Sequence, residues 1–501
     1  LQYLANNGTV LLNCPFELDK LNEFLPDYFV SSLKEKNAKL FIVDALSGAK
    51  KLGLKNKINI IMQSAFFKLT NIMPFDKAKE KMISFIKKSY SKFGEKVVEA
   101  NIQAIDFGAE NLVEVDYSTL FGTKNTEKEE KTNEFCTEIM RPIAKLQGQK
   151  IPVSKFSADG SVPIATSQFE KRGIATDLPK WHKENCIQCN LCSLVCPHAC
   201  IRAKETLDDK GAESKDNIIP NRGKFCLAVS PLDCTGCGNC ACVCPAKNKA
   251  LTMETAEDIL DNTLENYEKF ETIEKLSNQN KTTLKGTQFE KPLLEFSGAC
   301  AGCGQTAYVK LLTQLCGESM LIANATGCSS IWGGSYPSCP YSKSDDGLGV
   351  AWANSLFEDN AEFGLGIRTA YEIRHEEVRN LLCELSANDQ KFADVFTAFI
   401  MNENSFDECK KVFFDLQKLC AERLKFYENY IKMSDGELNV TALDTISIIE
   451  RLQSIYDAVM PKNVWIIGGD GWAYDIGFGG LDHVLASDKN VNVLVLDTEV
   501  Y

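Results

Sequence analysis

This sequence lacks an excess of positive charge, an apolar segment long enough to cross a membrane, and the opening of an export signal. It has 55 Lys and Arg against 68 Asp and Glu, a formal net charge of −13 at pH 7, so nothing indicates nucleic-acid binding. No run of 18 apolar residues occurs, so no membrane span is expected. Residues 1–4 have neither the basic stretch nor the apolar region of a signal peptide.

The remaining composition is that of a folded protein with several domains. Of the 501 residues, 44% are apolar and 25% are charged, which excludes a disordered chain, a collagen-like chain and a coiled coil. The length predicts roughly three to five domains. The first residue is Leu1, and the last, Tyr501, falls in what we expect to be the loop after a buried strand. We therefore expect an internal part of a longer polypeptide.

Cysteine is abundant: there are 21, and 11 of them lie between positions 186 and 244. A disulfide scaffold is excluded because disulfide-dense chains are small secreted domains. The run C-x₂-C-x₂-C-x₃-C-P occurs twice, starting at Cys186 and at Cys234. In bacterial ferredoxins three cysteines of such a run hold one [4Fe-4S] cluster, and the fourth ligates the other cluster. The sequence therefore predicts one cluster on Cys186, Cys189, Cys192 and Cys244, and a second on Cys234, Cys237, Cys240 and Cys196.

Two zinc sites are the main alternative for these cysteines. Zinc sites combine C-x₂-C pairs, whereas here a fourfold run ending in Cys-Pro is repeated, and soft thiolates without histidine partners favour iron–sulfur clusters. Cys200, Cys226 and Cys242 fall outside the pattern, and we expect them to be core or free thiols. His198 follows the first run, and we expect it to pack or to form a hydrogen bond rather than to ligate iron.

Alternating strand and helix patterns before the cysteine region predict an α/β layer. Strands are predicted at residues 8–13 and 39–44, which are rich in β-branched residues. A helix is predicted over residues 76–90, with one apolar face formed by Ala78, Met82, Phe85 and Ile86.

A second α/β domain is predicted from residue 290 onwards, after a charged helix at residues 254–278. Its helices include residues 369–385 and 406–433. Its strands are predicted at residues 321–323, 394–400, 463–467 and 492–496.

A Gly-Asp-Gly turn follows the strand predicted at residues 463–467 and places Asp470 at its carboxyl end, where α/β domains bind ligands. Gly469 and Gly471 allow a phosphate to approach the backbone. Asp470, Thr498 and the carbonyl of Val500 are hard oxygen ligands of the kind that Mg²⁺ prefers, with diphosphate oxygens completing the octahedron. An ordinary structural turn explains Gly-Asp-Gly equally well when it is taken alone.

A third group of cysteines, Cys300, Cys303 and Cys328, strengthens the cofactor interpretation. The glycines around both segments indicate that the backbone crowds against a bulky group. Three cysteines are one ligand short of a cubane cluster. The alternative for the C-x₂-C pair is a zinc site or a pair of redox thiols.

These features together resemble the pyruvate:ferredoxin (flavodoxin) oxidoreductase family. Besides the two cysteine runs, the resemblance is carried by Glu170-Lys171-Arg172, by Cys300-Ala301-Gly302-Cys303-Gly304, and by residues 323–334, 354–364 and 468–477. It implies a multidomain α/β architecture. The implied domains are a partial γ-type α/β domain at 1–133, an EKR domain at 134–180, a ferredoxin-like α+β domain with two [4Fe-4S] clusters at 181–254, a charged helical connection at 255–289, and a truncated thiamine-diphosphate-binding α/β domain at 290–501.

The resemblance also implies roles for individual residues. Cys300, Cys303 and Cys328 match three ligands of a third [4Fe-4S] cluster, whose fourth ligand is expected beyond Tyr501. Gln305 stands where the family has a Glu that contacts thiamine diphosphate, so hydrogen bonding is kept and the charge is lost. The remaining matches to thiamine diphosphate and Mg²⁺ binding are Gly469, Asp470, Gly471, Trp472, Thr498 and Val500, with Cys328 also next to the cofactor. Asn101 matches a coenzyme A contact, and an ordinary helix Asn is the alternative.

The implied activity is the oxidative decarboxylation of pyruvate with coenzyme A to acetyl-CoA and CO₂, with ferredoxin or flavodoxin as electron acceptor, in a homodimer. The Glu that activates the cofactor in the family is expected outside this sequence. Three alternatives stay open: an NADP-linked pyruvate oxidoreductase with a fused flavin reductase domain, an oxidoreductase for another 2-oxoacid, and a stand-alone polyferredoxin. Because low-potential clusters are sensitive to oxygen, we expect a reducing compartment, either the cytoplasm or a hydrogenosome.

Overall fold

A computed structural model describes residues 3–54, 57–123, 132–276, 280–433 and 440–499. The chain divides into two units, residues 1–130 and 131–501, which are described separately. No helix within those described ranges is long and apolar enough to span a bilayer.

The first unit contains a three-stranded sheet of Thr9–Asn13 (β1), Lys39–Val43 (β2) and Val113–Val115 (β3). Strands β1 and β2 are parallel, as α/β alternation predicts, and β3 pairs antiparallel with β2. Both predicted strands are thus confirmed. The helices of this unit are Leu21–Phe24 (α1), Asp27–Glu35 (α2), Ala45–Lys51 (α3), Asn59–Thr70 (α4), Phe75–Tyr90 (α5) and Glu95–Glu110 (α6).

Helix α5 confirms the helix predicted at residues 76–90. Ala78, Met82 and Ile86 are buried, and their spacing of four places them on one stripe. Phe85, which we predicted on the same face, is 66% exposed. It lies about 60° from the centre of that stripe, since successive residues are separated by about 100° around a helix, and this was enough to leave the ring outside the core.

The second unit begins with a stretch that has little regular structure, from a π-helical turn at Cys136–Met140 and helix Arg141–Ala144 (α7) to residue 176. Side-chain contacts join it to the rest of the unit. Thr166 donates to the carbonyl of Pro337 at 3.0 Å and accepts from the Cys339 N–H at 2.7 Å. In the Glu-Lys-Arg triplet, Lys171 forms an ion pair with the buried carboxylate of Asp233.

The cysteine runs lie in a small α+β region. Its first and last strands pair antiparallel and bring the two ends of the region together. They are Asp177–Trp181 (β4) and Leu251–Thr255 (β8). A second sheet has the order β5-β7-β6. The remaining elements, with the helices that follow, are Leu191–Leu194 (α8), Ile201–Thr206 (β5), Ser214–Asp216 (β6), Lys224–Val229 (β7), Asn239–Val243 (α9), Ala256–Glu271 (α10) and Leu284–Thr287 (α11).

The last part of the chain has a parallel four-stranded sheet with the order β10-β9-β11-β12. Its strands are Met320–Asn324 (β9), Ala351–Asn354 (β10), Asn463–Gly469 (β11) and Asn492–Leu496 (β12). Its helices are Thr306–Cys316 (α12), Cys328–Gly333 (α13), Asn360–Ser386 (α14), Gln390–Asn402 (α15), Phe406–Met433 (α16), Val440–Ile455 (α17) and Phe478–Ala486 (α18).

The strand predicted at residues 394–400 is wrong, because this segment lies inside helix α15. Its β-branched and aromatic residues favour a strand locally. Phe392 and Phe399 are seven residues apart, a helical repeat, and both are buried in a core that α14 to α17 share. The strand missing from the prediction is β10, whose four residues are too few for a clear pattern.

Candidate functional site

One small cavity is lined by the four cysteines predicted to hold the first cluster, Cys186, Cys189, Cys192 and Cys244. The fourth, Cys244, comes from the second run, as the exchange of ligands between runs requires. The rest of the wall is largely apolar and includes Trp181, Phe225, Leu227 and Leu251. The chain therefore brings these four sulfurs around a common space that is screened from water.

The cysteines of the second set lie near Cys196, the last cysteine of the first run. Cys196 is buried, and its thiolate interacts electrostatically with Cys234 and with Cys240. Cys237 interacts with the same two residues. Burial is the main cause that raises the pKa of Cys234 and of Cys240 to about 12. Burial therefore keeps these two thiols protonated while no metal is bound.

Both runs use the same backbone geometry to aim their cysteines. The second and fourth residues after the first cysteine have positive φ in each run: Gln188 and Asn190 in one, Gly236 and Gly238 in the other. The N–H of Gln188 lies 3.4 Å from the sulfur of Cys186, and the N–H of Gly236 lies 3.4 Å from that of Cys234. Such N–H donors stabilise charge on the sulfurs and raise the potential of a bound cluster.

The geometry bears on the choice between a cluster and zinc. Zn–S bonds of about 2.3 Å would place the sulfurs of a tetrahedral site roughly 3.8 Å apart. Four cysteines around a cavity instead suit a cluster, in which each sulfur binds a different iron.

Three cysteines of this region and His198 lie outside the two runs, and we predicted core or free thiols and a packed or hydrogen-bonded histidine. Cys200 and Cys226 are buried and Cys242 is exposed. The ring of His198 is buried, and its Nδ1 lies 3.1 Å from the carbonyl oxygen of Ser297. Burial lowers the pKa of His198, so the neutral ring is favoured.

The third set of cysteines is more open than the first two. Cys300 and Cys328 are exposed and Cys303 is half-buried. Cys328 is the first residue of α13, and that helix reaches the Cys300–Cys303 turn through Trp332, whose indole N–H donates to Gln305 Oε1 at 3.2 Å. At Gly302, where φ is +75°, a Cβ would lie 3.7 Å from that of Cys237. The third set thus adjoins the second.

Asp470 and Thr498 lie at one edge of the parallel sheet. Gly469 at the end of β11 pairs with Leu496 at the end of β12, so both residues follow neighbouring strand ends. The hydroxyl of Tyr474 bonds to Asp497, which raises the pKa of Tyr474, and Asp470 and Glu499 act on it in the same direction. Three carboxylates therefore lie in the same neighbourhood, although among the described residues no group of three is spaced to hold a metal ion. Val500 lies outside the described residues.

Trp472 is fully buried next to this edge, and its indole nitrogen has no partner within the part of the chain that the structure describes. A Cβ at Gly468 would overlap the Trp472 ring, so glycine is required there by close approach. A Cβ added at Gly469 would meet no close neighbour, since the nearest atom is the carbonyl oxygen of Leu496 at 4.0 Å. The backbone at Gly469 is thus accessible on the side where a diphosphate is predicted.

A buried amide network that our sequence analysis missed supports the same edge. Asn324 donates to Ser329 Oγ at 2.8 Å and accepts from the Trp352 indole at 3.0 Å. Asn360 donates to the carbonyl of Ile467 at 3.1 Å and accepts from Ser355 at 2.8 Å. These bonds fix the ends of β9, β10 and β11. Both asparagines lie in segments quoted for the resemblance, so the family motif was the available signal.

Asn101 is 4% exposed on α6, and its side-chain amide donates to the carbonyl of Val97 at 2.8 Å within the same helix. This bond is what the alternative, an ordinary helix Asn, predicts. The coenzyme A contact stays a prediction.

In a comparison with known protein families, three family models match separate segments of this chain. The family model described as pyruvate ferredoxin/flavodoxin oxidoreductase matches residues 1–111, a domain of unknown function named EKR matches residues 123–175, and a 4Fe-4S dicluster domain matches residues 185–248.

Curated relatives match the whole chain. A pyruvate:ferredoxin oxidoreductase of Moorella thermoacetica is 44% identical and covers 100% of this chain, which spans 43% of that protein. A pyruvate-flavodoxin oxidoreductase of Enterobacter agglomerans is 41% identical over 99% of the chain and 42% of its own length. A pyruvate dehydrogenase [NADP(+)] of Cryptosporidium parvum is 37% identical over 100% of the chain and 29% of its own length. The chain therefore spans less than half of these relatives.

Proposed function

Because this chain belongs to the pyruvate:ferredoxin and pyruvate-flavodoxin oxidoreductase family, we propose that it contributes to an enzyme that oxidatively decarboxylates pyruvate. Coenzyme A takes up the acetyl group to give acetyl-CoA and CO₂, and the electrons pass to ferredoxin or flavodoxin. The observation that carries the proposal is the cavity lined by Cys186, Cys189, Cys192 and Cys244, because it joins two separate cysteine runs into one site. A [4Fe-4S] cluster passes on one electron at a time, which suits delivery to such carriers.

The proposed cofactors are three [4Fe-4S] clusters, thiamine diphosphate and Mg²⁺. When bound, thiamine diphosphate supplies an electron sink for decarboxylation, and the clusters supply one-electron carriers. The chain's own part is to hold these groups. Asp470, Thr498 and Val500 are the proposed Mg²⁺ ligands, and Gly469, Gly471 and Trp472 form the proposed diphosphate turn. Gln305 is held by Trp332 beside the third cysteine set, and it offers a neutral amide to the cofactor.

The three cysteine sets follow one another in space. Gly302 packs against Cys237, so the third set adjoins the second. Cys192 of the first set and Cys196 of the second are four residues apart, on and just after helix α8. This supports an order in which the third set lies next to the thiamine site and the first set is farthest from it. The proposed domains are those given by the resemblance, at 1–133, 134–180, 181–254, 255–289 and 290–501.

The experiment that tests the proposal uses the complete gene product, purified without oxygen. Pyruvate-dependent reduction of ferredoxin, flavodoxin and NADP⁺ is measured with and without coenzyme A, and 2-oxoglutarate replaces pyruvate as control. We expect reduction of ferredoxin or flavodoxin that requires both pyruvate and coenzyme A. Preference for NADP⁺ would favour the alternative that the Cryptosporidium relative represents. Iron without any pyruvate-dependent reduction would favour a polyferredoxin.

A further inference from the structure

Lys310 is a fully buried lysine in the second unit, with 2% of its surface exposed. It lies on α12, and its ammonium donates to the carbonyl oxygen of Ser193 and to Gln288 Oε1 at 3.4 Å. Both acceptors are neutral. Within the described ranges no carboxylate forms an ion pair with it. A buried ammonium without a carboxylate partner is costly, so a compensating negative charge is expected nearby.

The groups of negative charge that face Lys310 are cysteine sulfurs. Its strongest favourable electrostatic interactions are with Cys196 and then with Cys192, and Cys200 follows. Cys192 is a predicted ligand of the first cluster and Cys196 of the second. Ser193, which accepts the hydrogen bond from Lys310, lies between them in the chain. The ammonium therefore lies against the backbone segment that carries one ligand of each cluster.

Two other cations near this network have carboxylate partners, whereas Lys215 and Lys249 donate to main-chain carbonyls of the cysteine runs from more exposed positions. Arg202 forms an ion pair with Glu295, and Lys171 forms one with Asp233. A polar chain fixes the position of Lys310: Ser193 Oγ donates to Gln288 at 3.2 Å, and Gln288 donates to Gln314 at 3.1 Å. The position of the charge is thus set by a buried network, as is required of a group that acts on its surroundings at a fixed distance.

We infer that Lys310 is a built-in counter-charge for the two ferredoxin-type clusters, which raises their reduction potentials. The inference rests on the proposed function in assuming that both clusters are present. The reduced state of a cluster carries one more negative charge than the oxidised state, so a fixed cation nearby stabilises reduction.

The test is a redox titration of the complete enzyme followed by electron paramagnetic resonance, with iron and sulfide content measured on the same samples. Lys310→Gln removes the charge and keeps a hydrogen-bond donor. Gln288→Glu leaves Lys310 in place and puts a carboxylate beside its ammonium. The matched control is Lys204→Gln, since Lys204 is also partly buried, on β5, but lies over the Phe270 ring and bonds to main-chain carbonyls.

We expect both Lys310→Gln and Gln288→Glu to shift cluster midpoint potentials to more negative values, with the control unchanged. Full iron content with unshifted potentials would overturn the inference and leave the proposed function intact. If Lys310→Gln does not retain its clusters, the test rests on Gln288→Glu alone. Unshifted midpoint potentials in that variant, at full iron content, would then overturn the inference. Absence of both clusters from the unaltered enzyme would overturn the inference and the proposed function together.

Discussion

Each ferredoxin-type run is predicted to give three cysteines to one site and the fourth to the other, which would make neighbours of sulfurs that are distant in the chain. Cys244 and Cys186 line the same cavity although 58 positions separate them. The nearby Cys242 is exposed and takes no part. Two cysteines only two positions apart thus have different surroundings: Cys244 lines the cavity and Cys242 faces solvent.

We predict that Cys244→Ser loses the first cluster, although Cys244 belongs to the second run. Iron and acid-labile sulfide should fall by about four atoms each per chain, because a [4Fe-4S] cluster needs its four thiolates. The remaining resonance signals should match those of Cys192→Ser and differ from those of Cys240→Ser. Cys242→Ser is the control and should keep its iron. If Cys244→Ser instead resembled Cys240→Ser, the assignment of ligands would be wrong.

A second residue-scale prediction concerns Gly468, where a side chain would overlap the buried Trp472 ring. Gly468→Ala should destabilise this part of the chain by about 1–3 kcal/mol, as overpacking does. Thermal unfolding of the complete enzyme measures the effect. Gly479→Ala in α18 is the matched control, because a Cβ there meets nothing within 4 Å. Equal melting temperatures for the two variants would contradict the close packing.

At the scale of elements, the four helices α14 to α17 form an insertion between β10 and β11 with a core of its own. Their long apolar faces pack on one another, and residues 394–400 become helical for that reason. Within α15, Phe399 is fully buried, whereas Met401 is 80% exposed. A strand would turn residues 399 and 401 to the same side, but a helix separates them by about 200°.

Phe399→Ala and Met401→Ala therefore distinguish the two structures. In the helix, Phe399→Ala leaves a cavity and should destabilise the chain by about 3–5 kcal/mol. Met401→Ala should change stability by less than about 0.5 kcal/mol, as exposed substitutions do. Denaturant unfolding followed by circular dichroism gives both values. Comparable losses in the two variants would support the strand and contradict the helix.

At the scale of the whole molecule, the parts of the chain differ in what stabilises them. The small region with the cysteine runs has Cys196, Cys200 and Cys240 in its hydrophobic core. A region of this size is marginal without metal or other cross-links. The bundle of α14 to α17 has a core of mostly aliphatic and aromatic side chains with Cys409 and Cys420 among them, and it includes none of the predicted cluster ligands.

We predict that removing iron without oxygen unfolds the cysteine region first. Hydrogen exchange should lose protection over residues 177–255 while residues 360–433 stay protected, because only the first core includes cluster ligands. Peptide-resolved mass spectrometry before and after chelation measures this. Adding back iron and sulfide under reducing conditions should restore protection. Simultaneous loss in both segments would show that the two cores are coupled.

The sequence predicted most of the candidate site where chemistry depends on residue type and local spacing. The two runs predict the ligand sets, including the exchange of Cys196 and Cys244, and one cavity brings Cys244 together with three cysteines of the first run, as that exchange requires. The parallel strands β1, β2, β9, β11 and β12 were also predicted, because buried strands are continuous apolar runs. The strand β10 and the helix α15 were not, since packing overrode their weak local signals.

What the sequence alone determined about this protein is therefore its cluster chemistry, its α/β character and its family. What only the tertiary structure decided is which distant residues meet: Gly302 against Cys237, the amide network of Asn324 and Asn360, and Lys310 on Ser193, 117 positions away. The physical reason is that ligand identity is a property of side chains and their spacing. The electrostatic surroundings of a ligand arise from segments that only folding brings together.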